Sequence, residues 1–503
     1  MSKINNKLLE YKKLESSIYF YKDNGSFGVV VYDDTNVLYK ILELGVSENN
    51  YNPNIIERNN LVEIIMLNSI PECKNLLQSK STFTFDNSLD KNSGKKIGLF
   101  QPIIYQKCPW VIKDSSILIF NRLKTYNDSL TYLINYKNPD YTRKNFLKIA
   151  TQLLIGLNNL HSIGLLHGDI KSSNILYNNK SSDPEQFVLI DLGGVKPYNT
   201  KDYFKTCTLT YRCPEDLEYE TNNVSVYNNS GYKSDIWSLG IVFAELLLGF
   251  NPVSIIYNDY KRQNMTIEQI EKNMSNDYKK KNIIDLKKLF DAKIEKENKK
   301  LSDEELVIFE KYIRITELMI KTNVEERVGD IYTIYKELTG EELNPKKQSY
   351  NYNYENLNNE EFLDFRMCFY DKVIQLYEKL TIDLIHGLPF LIDILDRFFS
   401  RYNELNSIDN FDGLEMELIG LSFVYLTTIW FESELCTFDF VKNRIKLLTN
   451  DMTMLKKYIL QILVFMNYDI YRPFNVNLKS DDIKLKIYKI LNNKIVGVSP
   501  SYY

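Results

Sequence analysis

The chain has 503 residues, of which 44% are hydrophobic and 25% charged, and its formal net charge is −4. This length can bury two or three hydrophobic cores, and the charge balance gives no electrostatic reason to expect nucleic acid as a main partner. No run reaches the roughly 18 uncharged apolar residues that span a membrane, and the first residues lack a signal-peptide core. The six cysteines are scattered without metal-ligand spacing, as expected for reduced thiols in cytosol or nucleus.

In chain order, the first predicted elements are short strands around a helix. Val37–Leu42 and Ile117–Leu123 are strand-like, and Asn60–Leu67 between them has a helical pattern. Phe187–Ile190 is a further short apolar strand, and the Lys- and Asn-rich stretch from about Asp259 to Lys300 is expected to form a solvated helical surface. These elements combine short strands with helices over the first two-thirds of the chain.

The most informative polar residues surround the strand Phe187–Ile190. In the run His167–Asn174, Asp169 is suited to take a proton from an acceptor hydroxyl, and Lys171 to neutralise charge on a transferred phosphoryl group. Asn174 and Asp191 supply hard oxygen atoms of the kind that Mg²⁺ prefers. Phosphoryl transfer needs positioning and charge neutralisation more than covalent chemistry, so this spacing predicts transfer from ATP, with Mg²⁺ held by Asn174 and Asp191.

Further signatures fall in the order found in eukaryotic protein kinases, and the first two-thirds of the chain resembles that family. The segment Asn24–Val30 resembles the glycine-rich loop, whose backbone N–H groups approach the phosphates of ATP, although Asp23 stands where the first glycine is expected. The resemblance implies that the nucleotide is contacted by Gly25, Ser26, Phe27, Gly28 and Val30.

The resemblance also implies the rest of the nucleotide pocket. Lys40 is the expected partner of the α- and β-phosphates, with Glu63 as its ion-pair partner and Glu57 as the alternative. Ile117–Leu123 resembles the strand that leads into the hinge, which binds adenine through backbone groups, here at Asn121 and Leu123. For Lys40 the alternative is an ordinary surface lysine of a strand, and for Ile117–Leu123 it is an ordinary buried strand with no ligand contact.

Three other residues are implied to be structural. Asp235 resembles the helix aspartate that braces the backbone of the catalytic loop, and Glu215 with Arg327 resembles the buried ion pair of the family. The catalytic set implied by the resemblance is therefore Lys40, Glu63, Asp169, Lys171, Asn174 and Asp191.

Two details narrow the class within the family. Lys171, two residues after Asp169, is typical of serine/threonine kinases, so we expect protein substrates with Ser or Thr acceptors. The segment Thr208–Glu215 resembles the end of the activation segment in cyclin-dependent kinases, where the arginine that corresponds to Arg212 makes proline preferred after the acceptor. We therefore expect a proline-directed enzyme.

Two departures from the family pattern concern regulation. Gly168 replaces the arginine that usually precedes the catalytic aspartate and grips a phosphate on the activation segment. Tyr203 stands where cyclin-dependent kinases carry an activating threonine. We therefore expect that phosphorylation between Asn199 and Cys207 is not needed for activity.

The last third of the chain has a different pattern. Residues 341–364 are polar and lack a helical period, as in a linker, and Phe390–Phe399, Leu418–Trp430 and Met454–Phe465 then have helical patterns. Leu418–Trp430 is apolar nearly all round, which suits only a helix enclosed by others. An all-α domain of roughly 110 residues is predicted.

This helical region resembles a cyclin box. Arg366 and Asp371 on the first helix, with Ile394–Ser400 on the second, lie where cyclins carry an arginine and an aspartate that pair across two helices. The lysine and glutamate by which many cyclins grip their kinase are missing, with Ile429 and Lys456 in the nearest positions. The docking contact is therefore rewired, or the region is an unrelated helical bundle.

The predicted fold is thus α+β, a bilobal protein kinase fold followed by an all-α, cyclin-like helical domain. The expected boundaries are an N-lobe at 1–123, a C-lobe at 124–340, a linker at 341–364, the cyclin-like domain at 365–475 and a tail at 476–503. If both resemblances hold, the cyclin-like domain acts within its own chain, pressing on the helix that bears Glu63.

Two functional classes remain open on the sequence. The first is an active, ATP- and Mg²⁺-dependent serine/threonine kinase, and the second is a catalytically silent kinase fold that recruits another kinase. All six residues of the catalytic set are present, which favours activity. The abundance of Asn, Lys, Ile and Tyr is typical of AT-rich coding and suggests a large DNA virus or a protist, with the cytosol or nucleus of a host cell as the expected location.

Overall fold

The computed structural model describes most of the region that precedes the linker and the main helices that follow it. The described residues are 19–24, 29–33, 37–44, 53–69, 74–86, 117–136, 139–178, 186–198, 208–217, 231–280, 284–343, 368–375, 384–403, 413–431, 452–466 and 470–471.

The N-terminal lobe is built on a five-stranded antiparallel sheet in the order β1-β2-β3-β5-β4. Its strands are β1 (Tyr19–Asn24), β2 (Val29–Asp33), β3 (Leu38–Leu44), β4 (Ser79–Asp86) and β5 (Ile117–Leu123). In the central β3–β5 pair Lys40 lies opposite Asn121. This register brings the predicted phosphate-binding lysine and the predicted hinge to neighbouring strands.

Helix α1 (Pro53–Ser69) carries Glu63 and packs on this sheet. Every residue from Arg58 to Leu67 is buried, including the polar Arg58, Asn59 and Asn60. A helix on the surface of one sheet would bury only one stripe of its residues. Its other sides are covered by the segment Leu192–Gly194, which follows Asp191, and by a helix of the C-terminal region described below.

The C-terminal lobe is mainly helical, and small strands carry the catalytic segments. The strands are β6 (Asp128–Ser129), β7 (Leu165–Leu166), β8 (Ile175–Tyr177), β9 (Phe187–Leu189) and β10 (Lys196–Pro197), paired as β6-β8-β9 and β10-β7. The helices are α2 (Leu130–Tyr136), α3 (Pro139–Lys144), α4 (Phe146–His161), α5 (Tyr232–Leu248), α6 (Pro252–Arg262), α7 (Ile267–Lys280), α8 (Leu286–Lys296), α9 (Asp303–Met319) and α10 (Ile331–Thr339).

Helix α5 is the central support of this lobe, and all its residues from Asp235 to Leu248 are buried. At Gly240, a Cβ would lie 2.7 Å from Cγ2 of Ile320 and 2.8 Å from Cβ of Met319, so only glycine allows this packing. Among the described residues no single helix is long and apolar enough to span a membrane, although α5 and α6, bent by 95° at their junction, pass that test as a pair by length and composition.

The stretch from Asp259 to Lys300 is less exposed than its composition predicts. Helices α7 and α8 bury Ile270, Met274, Tyr278, Leu286 and Phe290, although their outer faces are charged. The expectation of a purely solvated surface was therefore incomplete. The apolar residues recur at helical spacing between the lysines, so that each helix presents a narrow stripe to the lobe.

Beyond the predicted linker, the structure describes helical residues 368–375 and three longer helices. These are α11 (Leu384–Asn403), α12 (Gly413–Phe431) and α13 (Met452–Phe465), and α12 packs between α11 and α13. Every residue of α12 from Leu418 to Trp430 is buried, as its apolar pattern predicts. A Cβ on Gly420 would lie 2.9 Å from Val373, which explains why a glycine serves the closest approach between helices.

The predicted polar contacts of this helical region are described only in part. Arg366 lies outside the described residues, and Asp371 accepts a hydrogen bond from Gln375. Arg397 pairs with Asp393 one turn earlier, at 2.8 Å, and donates to the carbonyl of Ile470 at 2.7 Å. Helix α12 also contacts α1 and β10, so the helical region rests on both lobes of the preceding domain.

Candidate active site

Lys40 lies at the centre of the cleft between the lobes. It donates a hydrogen bond to Glu63 on α1, and its Nζ lies 3.9 Å from Oδ1 of Asp191. Burial opposes the positive charge, but the carboxylates of Glu63 and Asp191 outweigh it and raise the pKa of Lys40. Glu63 is thus the partner that the structure gives to Lys40, and the alternative, Glu57, has no described side chain.

Asp169 is held by three other side chains. Nζ of Lys171 donates to Oδ2 at 2.6 Å, and Nδ2 of Asn174 donates to the same oxygen at 3.1 Å and to the Asp169 carbonyl at 2.9 Å. Charge-assisted bonds of this length fix the rotamer of the carboxylate. Asp169, Lys171 and Asn174 are therefore brought together as the sequence spacing predicts.

The third partner, Thr208, was not singled out by the sequence. Both its backbone N–H and its hydroxyl donate to Oδ1 of Asp169, at 2.9 and 3.0 Å, and its hydroxyl accepts from Lys171 at 2.9 Å. Thr208 is the first residue of the segment that resembles the end of an activation segment. Its position in that segment is the signal by which Thr208 could have been found, because the segment returns to the catalytic loop 39 residues after Asp169.

The two predicted metal ligands come from adjacent segments. The backbone N–H of Ile190, next to Asp191, donates to the carbonyl of Asn174 at 2.9 Å. The amide nitrogen of Asn174 is engaged by Asp169, which leaves Oδ1 as its ligand atom. One carboxylate and one amide oxygen beside a phosphate site fit the way in which Mg²⁺ binds. Within the described residues no cluster of three or more His, Cys, Asp or Glu could form a separate metal site.

The backbone around Asp191 is unusual. Asp191 has φ 65° and ψ 61°, the left-handed region that few residues other than glycine adopt. His167, fully buried, donates a hydrogen bond through Nε2 to the carbonyl of Ile190 at 3.0 Å. As the carbonyl can only accept, Nε2 carries the proton in this contact. His167 therefore ties the catalytic loop to the strand end that presents Asp191.

Asp235 braces the catalytic loop from below. Its carboxylate accepts the backbone N–H groups of His167 at 2.8 Å and Gly168 at 3.0 Å, and it lies 3.0 Å from Nε2 of His161. Burial alone would raise the pKa of Asp235, but the bonds from His161 and the loop outweigh it and lower the pKa. Gly168 has φ 78°, so a glycine adopts without steric strain the turn that this bracing requires.

The predicted nucleotide pocket is only partly described. Gly25, Ser26, Phe27 and Gly28 lie outside the described residues, and Val30 is half-buried on β2. The buried side chain of Asn121 bonds Asn68 of α1 at 3.2 Å and Thr82 of β4 at 3.1 Å. Its Oδ1 is therefore occupied by groups of α1 and β4, and its backbone lies within the sheet between Lys40 and Thr82. The adenine contacts at Asn121 and Leu123 stay predictions.

The end of the activation segment is anchored at three points. Tyr211 donates to Glu245 at 2.7 Å, Arg212 donates to Glu271 of α7 at 3.0 Å, and Arg327 makes a bidentate pair with Glu215 at 2.6 and 2.9 Å. Burial raises the pKa of Glu245 to about 7, against the effect of the hydrogen bond from Tyr211. Residues 199–207, including Tyr203, lie outside the described residues.

Comparison with known proteins agrees with this geometry. The protein kinase domain family matches residues 25–337. A probable cyclin-dependent serine/threonine-protein kinase of Dictyostelium discoideum is 39% identical over 102 residues, which are 20% of this chain and 14% of that protein. Cyclin-dependent kinase C-2 C of Arabidopsis thaliana is 38% identical over 121 residues, 22% of this chain and 17% of the relative.

A longer alignment is found with another Dictyostelium discoideum protein, a probable serine/threonine-protein kinase kinase. It is 26% identical over 232 residues, 38% of this chain and half of the relative. These alignments thus span half or less of the relatives' own lengths. The family match covers more than half of the chain, and the chain belongs to the protein kinase family.

Proposed function

We propose that this protein kinase transfers the γ-phosphoryl group of ATP to Ser and Thr hydroxyls of protein substrates and that its own C-terminal helices activate it. The observation that carries the first part is the set of contacts around Asp169. One carboxylate is held by Lys171, Asn174 and Thr208, and the Lys40–Glu63 pair lies beside Asp191. This combination supports the proposal, because a carboxylate suited to accept a proton, a cation and oxygens of the kind that Mg²⁺ prefers lie at one cleft.

Each residue has a distinct role in this proposal. Asp169 orients the acceptor hydroxyl and takes its proton, while Lys171 neutralises charge that develops on the transferred group. Lys40 binds the α- and β-phosphates, and Glu63 keeps it aimed at them. Asn174 and Asp191 would hold Mg²⁺, which supplies charge neutralisation at the phosphates when bound.

Transfer of label from γ-labelled ATP to a generic basic protein tests this catalytic assignment. The wild-type chain is compared with Asp191→Asn, which keeps the shape of the side chain and removes its charge. We expect a loss of at least roughly 1000-fold, since metal binding and phosphate positioning both depend on that carboxylate. Equal labelling by both proteins would favour the alternative of a catalytically silent kinase fold.

The residue after the phosphoacceptor is proposed to be proline. Arg212 is turned into the lobe and anchored to Glu271 of α7, so it holds the backbone turn at 209–211 that would face that residue. A degenerate peptide library should show enrichment of proline immediately after Ser or Thr. The enrichment should weaken in Glu271→Gln, which loosens the anchor without touching the cleft, and its absence from the wild type would remove the proposal.

Phosphorylation of the activation segment is proposed to be dispensable. Gly168 has no side chain with which to hold a phosphate, and the segment's far end is already anchored by Tyr211, Arg212 and Glu215. Replacing Thr200, Tyr203 and Thr206 together should leave turnover largely intact. A loss of roughly 100-fold would contradict this proposal, because it is the size of effect expected from a missing activating phosphate.

The C-terminal helices are proposed to act like a cyclin within the same chain. Their central helix α12 contacts α1, the helix that carries Glu63, and α1 is buried on all sides between Arg58 and Leu67. A helix covered in this way is biased toward the position in which Glu63 meets Lys40. The tether contributes an effective concentration of order millimolar, so the contact is occupied even if it is intrinsically weak.

Truncation after Gly340 tests this part of the proposal. The shortened chain should turn over ATP more slowly, because buried residues of α1 become exposed to water when α12 is removed and α1 then leaves its position. Adding the helical region back as a separate chain should restore part of the activity. Unchanged turnover after truncation would contradict activation by the C-terminal helices.

A further inference from the structure

The end of the helical region reaches the kinase domain at a second place, beside the turn that precedes the catalytic loop. The ring of Tyr471 lies 4.9 Å from that of Trp430 on α12 and 6.1 Å from that of Phe390 on α11. Its hydroxyl lies 3.5 Å from the point that a Cβ on Gly164 would occupy. Because Arg397 binds the carbonyl of the preceding residue, Ile470, at 2.7 Å, the position of Tyr471 is fixed by the helical region.

Gly164 belongs to the turn that joins α4 to β7, immediately before the catalytic loop. Its carbonyl accepts the backbone N–H of Tyr198 at 3.0 Å, and its own N–H donates to the carbonyl of His161 at 3.0 Å. The ring of Tyr198 approaches the same Cβ point to 3.8 Å. Tyr471 therefore meets the kinase domain where the start of the activation segment crosses the turn before the catalytic loop.

A line of ring contacts leads from there to the catalytic loop. Tyr198 stacks on Tyr232 with centroids 4.9 Å apart and planes inclined by 21°, and Tyr232 packs on His161 at 4.4 Å. His161 lies 3.0 Å from the carboxylate of Asp235, which accepts the backbone N–H groups of His167 and Gly168. Each step of this line is a direct contact between neighbouring side chains, from Tyr198 through Tyr232 and His161 to Asp235.

The catalytic loop has a particular need for such support. Gly168 stands immediately before Asp169, and glycine loses more conformational freedom on ordering than any other residue. Asp235 and the groups that hold it therefore support the backbone just before Asp169, whereas Lys171, Asn174 and Thr208 hold the Asp169 carboxylate itself. A contact that orders the turn at Gly164 and the ring stack beside it lowers the cost of keeping Asp169 in position.

We propose that Tyr471 is a positioning residue for the catalytic loop, acting through Gly164 and Tyr198. This inference rests on the proposed function, since it concerns regulation of the same active site by the C-terminal helices. The two proposals concern different parts of the active site. In the proposed function α12 supports Glu63 in the N-terminal lobe, whereas here Tyr471 supports Asp169 in the C-terminal lobe.

The test is Tyr471→Ala in the full-length chain, read by steady-state kinetics and by amide hydrogen exchange. We expect kcat to fall about tenfold, the effect of a modest shift in the loop equilibrium, with the KM for ATP nearly unchanged. Exchange should rise in residues 162–170 and stay as in wild type in α1. The control is Tyr458→Ala, a tyrosine of α13 whose described partner is Glu415, which should leave the exchange of residues 162–170 unchanged.

A second variant removes the kinase-domain side of the same contact. It controls for the possibility that Tyr471→Ala acts by unfolding the helical region. Tyr198→Ala should give the same loss of kcat and the same exchange pattern, and the double variant should add little to either single one. Wild-type exchange at 162–170 in both single variants, or additive losses in the double variant, would overturn the proposal. A rise of exchange in α1 upon truncation after Gly340 reports separately on the support of Glu63, so failure of the proposed function is recognised independently.

Discussion

Replacement of Glu63 by Gln perturbs the ion pair on which the nucleotide pocket depends. Glu63 is fully buried, Lys40 is 6% exposed, and Asp191 is the second carboxylate near Lys40, at 3.9 Å. The substitution keeps the size of the side chain and one hydrogen-bond acceptor, but removes the charge. Lys40 is then a buried cation whose nearby carboxylate is the proposed metal ligand.

The size of the effect follows from these distances. Removal of one partner from a buried ion pair costs about 3–5 kcal/mol. The attraction of Lys40 to Asp191 across 3.9 Å has an upper limit of about 4 kcal/mol at an effective dielectric constant of about 20, and it offsets part of that cost. That cost is a loss of folding stability, and we expect about 2–3 kcal/mol of it to appear also as lost transition-state stabilisation, since Lys40 is no longer held at the phosphates. This loss corresponds to a decrease of kcat/KM by roughly 30- to 150-fold.

The assay is a steady-state kinase measurement with titration of Mg²⁺. Because Lys40 shifts toward Asp191 and competes with the metal, the Mg²⁺ concentration for half-maximal activity should rise in Glu63→Gln. Glu57→Gln, the same change six residues earlier on α1, is the matched control and should behave as wild type. Wild-type kinetics in Glu63→Gln, or an equal loss in Glu57→Gln, would refute this reasoning.

Three further predictions concern single polar side chains. Thr208→Val removes a hydroxyl bonded to Asp169 while keeping the shape, and kcat should fall roughly 10- to 100-fold with little change in the KM for ATP; an unchanged kcat would contradict the role of Thr208. Glu245 has a pKa of about 7 against 4.5 in the unfolded chain, so its contribution favours the folded state at low pH and is lost as the pH rises between these values. As the pH rises from 4.5 to 7, the unfolding free energy of wild type should therefore fall by about 3 kcal/mol relative to that of Glu245→Gln, as measured by denaturant unfolding. Parallel pH profiles of the two proteins would contradict the assignment. Burial lowers the pKa of Arg58 to about 10, and Arg58 has no ion pair within the described part of the chain. Arg58→Met should therefore raise the unfolding free energy by about 1–3 kcal/mol. A lower melting temperature in this variant would contradict the prediction.

The sequence predicted those parts of the site that depend on local spacing. Asp169, Lys171 and Asn174 lie within one turn of loop, so their residue types and order nearly determine their contacts. Lys40 and Glu63 could be paired only through the resemblance to a family, because a strand and a helix 23 residues apart can meet in several registers. Burial of α12 followed from its composition alone.

The contacts that sequence reasoning missed are long-range and made by ordinary residues. Thr208 reaches Asp169 only because the activation segment folds back, and Arg212 finds Glu271 on a helix that was expected to be solvated. Tyr471 meets Gly164 across about three hundred positions of sequence. No periodicity or motif encodes such a contact, which depends on how two distant regions of the chain pack together.

Cleavage of the linker tests most directly whether the C-terminal helices support the kinase domain from within the same chain. A specific protease site placed between residues 344 and 364 allows the activity of one preparation to be measured before and after cutting, over a series of dilutions. Before cutting, specific activity should not depend on protein concentration, because the tether holds the two regions at an effective concentration of order millimolar. After cutting, it should fall on dilution and recover on concentration. Specific activity that is unchanged at every dilution after cutting, with the two fragments separated on gel filtration, would contradict the account.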